Sequence, residues 1–319
     1  MEPKVLVTGA SGGTQGATGH RLTRLLAERN IPVRALVRTL DDRSDSLRDT
    51  GAEIVTGDLL DIESVRKAPK GIESAYFCYP IRPGMLEAAA IFAQAAREEG
   101  VKFIVLLSIG PAADQSPSPW LRKSWLAEQI FAWSGIPTFS LRAAIFYENL
   151  FWQFAKGIKE QSEVQAPFGS GDGMVPPIAA QDVARLASAA LQKPEAFAGQ
   201  TLLAFGSLES LNDIAEDLTQ LLGRPIHYRE ITVEELLNQP AFRDNAQNED
   251  QKGHAEVIWP IIYGKYQDPA LVSTISSLSG LFQQLTGEAP LSIHEWLKEN
   301  IALVEAGGEA LSLKALRVG

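Results

Sequence analysis

Residues 4–26, KVLVTGASGGTQGATGHRLTRLL, decide how the rest of the chain is read. A β-branched apolar run over 4–8 is followed at once by a turn that carries Gly9, Ser11, Gly12, Gly13 and Gly16. Apolar residues then recur at helical spacing, at Leu22, Leu25 and Leu26. A strand, a glycine-rich turn and a helix in that order make a unit suited to a dinucleotide. The reason is physical. A diphosphate must come close to the backbone, so side chains are removed, and the unpaired N–H groups and positive dipole end of the helix face the anion. The glycines fit two registers. In one, Gly9-x-x-Gly12 is followed by Gly16, one residue longer than the usual spacing, and Gly13 is an additional turn residue. In the other, Gly13-x-x-Gly16-x-x-Gly19 matches the spacing but puts Gly19 inside the helix. The first register is preferred.

A chain of 319 residues is long enough for one large or two coupled domains. Its formal net charge of −10 argues against general binding to nucleic acid or to acidic membranes. The single cysteine, Cys78, falls in an expected buried strand, so no disulfide forms within the chain and a reducing compartment is the default. No apolar run approaches the roughly 20 residues of a membrane span. A first strand at residue 4 leaves no room for a signal peptide, and a cytoplasmic protein is expected. His20, His227, His254 and His294 are scattered without metal-ligand spacing, so no metal is expected.

Further strands follow at regular intervals. Residues 32–38 form the second and end on Arg38, where such folds meet the adenosine ribose. An arginine there accommodates a 2′-phosphate through bidentate bonds, so Arg38 is read as a selector for NADP, with NADPH preferred over NADH. Arg43 is expected to pair locally with the aspartates around it. The third strand, 53–56, leads into Gly57-Asp58-Leu59. Asp58 either accepts from the adenine amine, with Leu59 covering the ring, or caps the next helix; Asp61 is better placed for the cap. The fourth strand, 74–79, ends at Tyr79 and Pro80, where the chain passes the cofactor's ribose and diphosphate. A helix over 84–99, a nearly all-apolar strand over 101–107 ending at Ser108, a helix over 119–134 and a strand over 136–142 complete the pattern.

Strands alternating with helices, the strands buried on both faces, give an α/β fold with an open, doubly wound parallel sheet of the Rossmann type. The expected division is a dinucleotide-binding domain over 1–155 and a smaller α+β substrate part over 156–319, with 178–205 packing back on the sheet. Residues 143–149 are expected as a loop at a strand's carboxyl end, and 165–177 as a loop or hairpin. The aromatic residues Trp259, Tyr263, Tyr266 and Phe282 form either a substrate lid or plain core, core being preferred.

Taken together, these residues resemble the NmrA-like branch of the atypical short-chain dehydrogenases/reductases. The matching pieces are VTGASGGTQG at 7–16, VRALVR at 33–38, GDL at 57–59, LLS at 106–108, SGIPT at 134–138, LRAAIFYENL at 141–150 and DVA at 182–184. The resemblance implies NADP(H) on the glycine turn, in contact with Thr14, Gln15 and Arg38. It also implies a C-terminal part closing over a substrate cleft, with Tyr79, Pro80, Phe146 and Asn149 lining the ribose and nicotinamide region. The sequence departs from the wider superfamily in its chemistry. The Tyr-x-x-x-Lys pair that passes the proton is absent, since Pro119 stands four residues before Lys123. Ser108 and Lys123 are then the nearest polar candidates for catalysis, and Tyr147 an alternative proton donor at the cleft mouth. The two leading readings are an NADPH-dependent reductase of a small uncharged or aromatic acceptor, and a non-catalytic NADP(H)-binding regulator with a protein partner. A homodimer is compatible with either. An epimerase using the cofactor transiently is a third.

Overall fold

A computed structural model describes residues 4–12, 16–239, 257–258 and 269–307 of the protein. In chain order the first elements are β1 (Val5–Val7), α1 (Thr18–Glu28), β2 (Val33–Val37), α2 (Asp42–Arg48), β3 (Glu53–Thr56) and α3 (Ile62–Val65). Next come β4 (Ser74–Phe77), α4 (Met85–Glu98), β5 (Phe103–Ile109), α5 (Pro119–Trp133) and β6 (Thr138–Ala143). They are followed by α6 (Tyr147–Gln161), β7 (Glu163–Ala166), β8 (Met174–Val175), α7 (Ala180–Gln192), α8 (Pro194–Phe197) and β9 (Thr201–Ala204). The last are β10 (Glu209–Ser210), α9 (Leu211–Leu222), β11 (His227–Glu230), α10 (Val233–Asn238), α11 (Pro269–Thr286) and α12 (Ile293–Ala306).

Seven strands form one parallel sheet in the order β3-β2-β1-β4-β5-β6-β9. Successive side chains of a strand point to opposite faces, and here both faces are covered. On one face Leu6, Leu36, Phe77, Ile104 and Leu106 pack with Ala89, Phe92 and Ala93 of α4 and Phe131 of α5. The rings of Phe92 and Phe131 lie 5.0 and 5.1 Å from that of Phe77. Burying each such side chain stabilises the fold by roughly 1.5–3 kcal/mol. On the other face α1 lies against α7, which also touches β4, β5 and β6. The buried Tyr76 phenol donates to Thr18 Oγ1 at 2.7 Å, tying α1 to β4. From β1 the chain fills β2 and β3 on one side, then crosses to β4 on the other. That reversal opens a crevice at the carboxyl ends of β1 and β4, where open α/β sheets take ligands.

The chain separates into two compact units. One comprises Met1–Ser116, Leu121–Ala143 and Ala180–Ala204; the other comprises Pro117–Trp120, Ala144–Ala179 and Phe205–Gly319. The main division therefore falls after residue 143 rather than after 155. The reason is the apolar stripe of α6, whose Phe151, Phe154 and Ile158 enter the second unit's core, with Phe151 stacked on Trp296 at 5.0 Å. The segment 180–204 belongs to the first unit, and β9 pairs with β6. In the second unit, residues 165–177 are not a hairpin. Strand β7 pairs in parallel with β11, and β8 pairs antiparallel with β10. Gly171, at φ +83°, lies where a Cβ would stand 2.3 Å from the Tyr228 ring, so the loop packs too closely for any side chain. Of the aromatic residues left open between lid and core, Phe282 is buried on α11, while Trp259, Tyr263 and Tyr266 lie outside the described residues.

Candidate functional site

The site grows from the end of β1. Thr8 donates its N–H to Tyr76 O at 3.0 Å, and its hydroxyl both accepts from Cys78 N–H at 2.9 Å and donates to Cys78 O at 3.1 Å. This fixes the ends of β1 and β4 together at the crevice. The chain then turns at Gly9, whose N-terminal neighbour is thus anchored. Gly9 has φ +64°, and a Cβ there would lie 2.4 Å from Cys78 Sγ, so only glycine fits. Gly12 donates its N–H back to Gly9 O at 3.1 Å and has φ +73°. Gly16 and Ala17 follow with φ +77° and +52°, so the backbone is left-handed on entering α1. Gly13, Thr14 and Gln15 lie outside the described residues.

Gly19 does lie inside α1, and there its missing side chain matters most. A Cβ would stand 2.6 Å from Thr8 O and 2.7 Å from Gly9 O. The first turn of the helix therefore rests on the carbonyls of the glycine turn, which is what a third glycine achieves in such units. Preferring one register missed this, because a glycine in a helix reads as a fault until the helix is seen against the strand.

The N-terminus of α1 has no side-chain cap and no acidic residue in its first turn. Side chains cap α2, α3, α9, α10 and α12, from Asp41, Asp61, Ser210, Thr232 and Ser292, whereas α4, α6 and α8 share the uncapped start but each place an acid in the first turn, Glu87, Glu148 and Glu195, as α1 does not. A helix start without a side-chain cap or an acid, following the close-packed glycines Gly9 and Gly12, is chemically matched to an anion such as a diphosphate. The residues present fit that group.

Five further residues expected at the cofactor follow the carboxyl ends of β2, β3 and β4. Arg38 stands exposed just past β2 and has no hydrogen-bond or ion-pair partner among the described residues. Its neighbours do: Arg34 pairs with Glu53 at 3.0 Å, Arg43 with Asp41 at 2.5 Å and Arg48 with Asp45 at 2.8 Å. Asp58 is exposed past β3 and accepts from Leu60 N–H at 3.0 Å in a local turn, while Asp61 caps α3. Of the two readings left open for Asp58, the cap therefore falls away. Leu59 packs, half-buried, at the margin of the first unit's core. Tyr79 and Pro80 follow β4; the Tyr79 hydroxyl donates to Pro83 O at 3.3 Å and the Arg82 guanidinium lies 5.3 Å above its ring.

The candidate catalytic groups are placed differently from one another. Ser108, near the end of β5, is buried and donates to Glu128 Oε1 at 2.5 Å. The same carboxylate takes two bonds from Arg142 of β6, at 2.8 and 2.6 Å. Ser108 is thus one corner of a buried Ser–Glu–Arg network that reading the sequence missed. A signal was present: Glu128 falls on the stripe of α5 that buries Leu121, Ser124 and Phe131, where a carboxylate needs a partner. Lys123 is half-buried on α5. Tyr147 does not stand at a cleft mouth. It is fully buried in the second unit's core, with its hydroxyl donating to Leu291 O at 2.9 Å, 3.1 Å from Ser207 Oγ, and its ring edge-on to Trp296. Phe146, buried, precedes the first turn of α6, and Asn149 lies half-buried within that turn. The expected loop over 143–149 is therefore cut short, because the helix begins at Tyr147 once Phe146 O accepts from the Asn149 and Leu150 N–H groups.

Burial pushes the Cys78 thiol up to about 12, which keeps it protonated and unsuited to act as a nucleophile. Among the described residues no group of three His, Cys, Asp or Glu side chains could hold a metal ion. No described helix is long and apolar enough to cross a membrane.

The chain is similar in sequence and in fold to known proteins. The chain is 32% identical over 231 residues to the NAD(P)H azoreductase of Xenophilus azovorans, covering 70% of this chain and 77% of that one. Its fold superposes on the crystal structure of Citrobacter sp. triphenylmethane reductase complexed with NADP(H), with a TM-score of 0.74 and 22% identity, covering 93% of this chain and 99% of that one. It superposes equally, at a TM-score of 0.74 and 17% identity, on NmrA, a negative transcriptional regulator in complex with NAD, covering 96% and 98%. The sequence pattern of the NmrA-like family matches residues 1–256, and the chain belongs to that family.

Proposed function

We propose that the protein is an NADPH-dependent reductase of a small, uncharged or aromatic acceptor. The observation that carries this is the pairing of a glycine-rich turn at the end of β1 with an unpartnered arginine, Arg38, at the end of the next strand. In this reading Gly9, Ser11, Gly12, Gly13, Thr14, Gln15 and Gly16 take the diphosphate and Arg38 the 2′-phosphate. Asp58 and Leu59 meet the adenine, and Tyr79, Pro80, Phe146 and Asn149 the ribose and nicotinamide. The bound cofactor would supply hydride. The azoreductase relative supports a reductase, and an acceptor already activated toward hydride fits a chain with Pro119 where the superfamily's tyrosine would stand.

Arg38→Glu tests the selector role. It should weaken NADPH by about 2 kcal/mol or more through lost charge-assisted bonds while sparing NADH. Equal loss for both cofactors would refute it. Turnover is tested by NADPH oxidation against azo compounds, quinones, enones, imines and triphenylmethane dyes, and silence across that panel would count against a reductase.

One observation favours a second reading, an NADP(H)-binding regulator without turnover. The hydroxyls of Ser108 and Tyr147 are both engaged within the protein, by Glu128 and by Leu291 O. That reading expects cofactor binding, no turnover, and a protein partner whose affinity follows the NADPH/NADP ratio. A pull-down indifferent to the cofactor would remove it.

A further inference from the structure

The hydroxyl of Ser108 is satisfied on one side only. Leu106 pairs in register with Phe77, the last residue of β4, and Ser108 stands two residues further along β5. It therefore lies at the carboxyl edge of the sheet, where β4 has already ended. Its side chain shares a face with Ile104 and Leu106, the face that α5 covers. There the hydroxyl meets the buried Glu128 carboxylate of α5. Arg142, opposite Ser108 in register on β6, holds that carboxylate with two bonds. A carboxylate paired in this way has lone pairs and no proton to give, so in the Ser108–Glu128 bond the hydroxyl is the donor. The buried Ser124 hydroxyl, one turn earlier on α5, makes no hydrogen bond and does not compete for Glu128. Ser108 thus commits its one proton inward, and its lone pairs accept from no group among the described residues. What it can offer outward is an acceptor.

We infer that Ser108 accepts a hydrogen bond from the reducible substrate, that Glu128 is the positioning residue which sets this polarity, and that the preferred substrate carries an N–H or O–H group to meet it. The inference rests on the proposed reductase reading and deepens it by naming a substrate class. It gives Ser108 a binding role in place of proton delivery. A quinone or azo compound that presents only lone pairs meets lone pairs at Ser108, whereas its amino-substituted relative has a proton to donate.

The test uses the full chain, NADPH and two matched pairs of substrates: aminoazobenzene and aminonaphthoquinone, each beside its N,N-dimethyl derivative. In the unaltered protein the N–H member of a pair should have the higher kcat/KM, by about tenfold for one hydrogen bond. The gain should lie in KM, because the bond is made to the bound substrate before any chemistry. Ser108→Ala should bring the two members level, and Ser108→Thr should keep the preference. Glu128→Gln should abolish or reverse it. With the amide oxygen held by Arg142, the amide N–H donates to Ser108 and turns the hydroxyl proton outward. Where Glu128→Gln does not fold, the two Ser108 variants decide. Equal kcat/KM for both members in the unaltered protein, or a preference that survives Ser108→Ala, would overturn the inference. So would a Glu128→Gln protein with a lower melting temperature and slower turnover of both members in an unchanged ratio, which marks a purely structural role. An unaltered chain that binds NADPH but oxidises it with no member of either pair would overturn the reductase reading, and this inference with it.

Discussion

Helices α1 and α2 follow adjacent strands of one sheet, yet they begin in opposite ways. The start of α2 is complete in itself. Asp41 accepts from Arg43 N–H at 3.0 Å, Ser44 Oγ accepts from Asp41 N–H at 2.9 Å, Asp42 and Asp45 supply negative charge to the first turn, and Arg48 closes the last. The start of α1 has none of this: a left-handed Ala17 in place of a cap, no acid, and Arg21 folded back onto Gly16 O. Side-chain capping and first-turn acids satisfy a helix start from within the chain. The start of α1, with neither, is the one matched to the diphosphate of the proposed cofactor.

That contrast can be broken most severely at Gly19. Gly19→Ala drives a Cβ into the Thr8 and Gly9 carbonyls at 2.6 and 2.7 Å, with backbone rather than flexible side chain in the way. It should destabilise the protein by about 3 kcal/mol, at the upper end for overpacking, and weaken cofactor binding as α1 lifts from the turn. A loss under about 1 kcal/mol in urea unfolding would mean that the helix moves freely and the close contact is not required. Removing the cap of α2 is the opposite experiment. Asp41→Ala should cost about 1 kcal/mol of stability and leave cofactor affinity unaltered. A change in affinity would erase the division between the two helices.

Smaller effects sharpen the comparison. Ala17 holds a left-handed conformation that glycine adopts without strain, so Ala17→Gly should stabilise the protein by roughly 0.5–1 kcal/mol. A destabilised variant would show that the turn tolerates Ala17 at no cost. His20 gives a pH signature. Burial holds its imidazole below the ordinary 6.5, Arg24 and Arg21 push the same way, and the Ala10 carbonyl opposes them. As pH falls, the unfolded chain takes up this proton before the folded one. The stabilisation is therefore whole above pH 6.5 and is lost as pH falls below it. His20→Gln should flatten that part of the melting-temperature profile, and an unchanged slope would contradict the assignment.

The order of strands and helices in the first unit was legible because each carries its own local pattern: β-branched runs, apolar spacing and glycine stops. Arg43 pairing with Asp41 and Asp61 capping α3 were legible for the same reason, since both partners are near in sequence. What escaped depends on distant partners. Strand β8 is two residues long and exists only because β10 lies beside it. The start of α6 and its assignment to the second unit follow from Trp296, over a hundred residues away in the chain. Glu128 announces itself only as a carboxylate on a buried stripe, and Arg142 on a strand gives no sign of which acid it meets. Gly19 was visible but undervalued, because a helix interior disfavours glycine unless another backbone presses against it.

The central claim is that the bare turn between β1 and α1 binds a pyridine dinucleotide and that Arg38 reads its extra phosphate. Calorimetric titration of the intact protein with NADPH and then with NADH tests it most directly. The account predicts saturable heat with both, NADPH binding tighter. No heat from either up to millimolar concentration would contradict it, and would leave α1 as an α/β helix with an unexplained beginning.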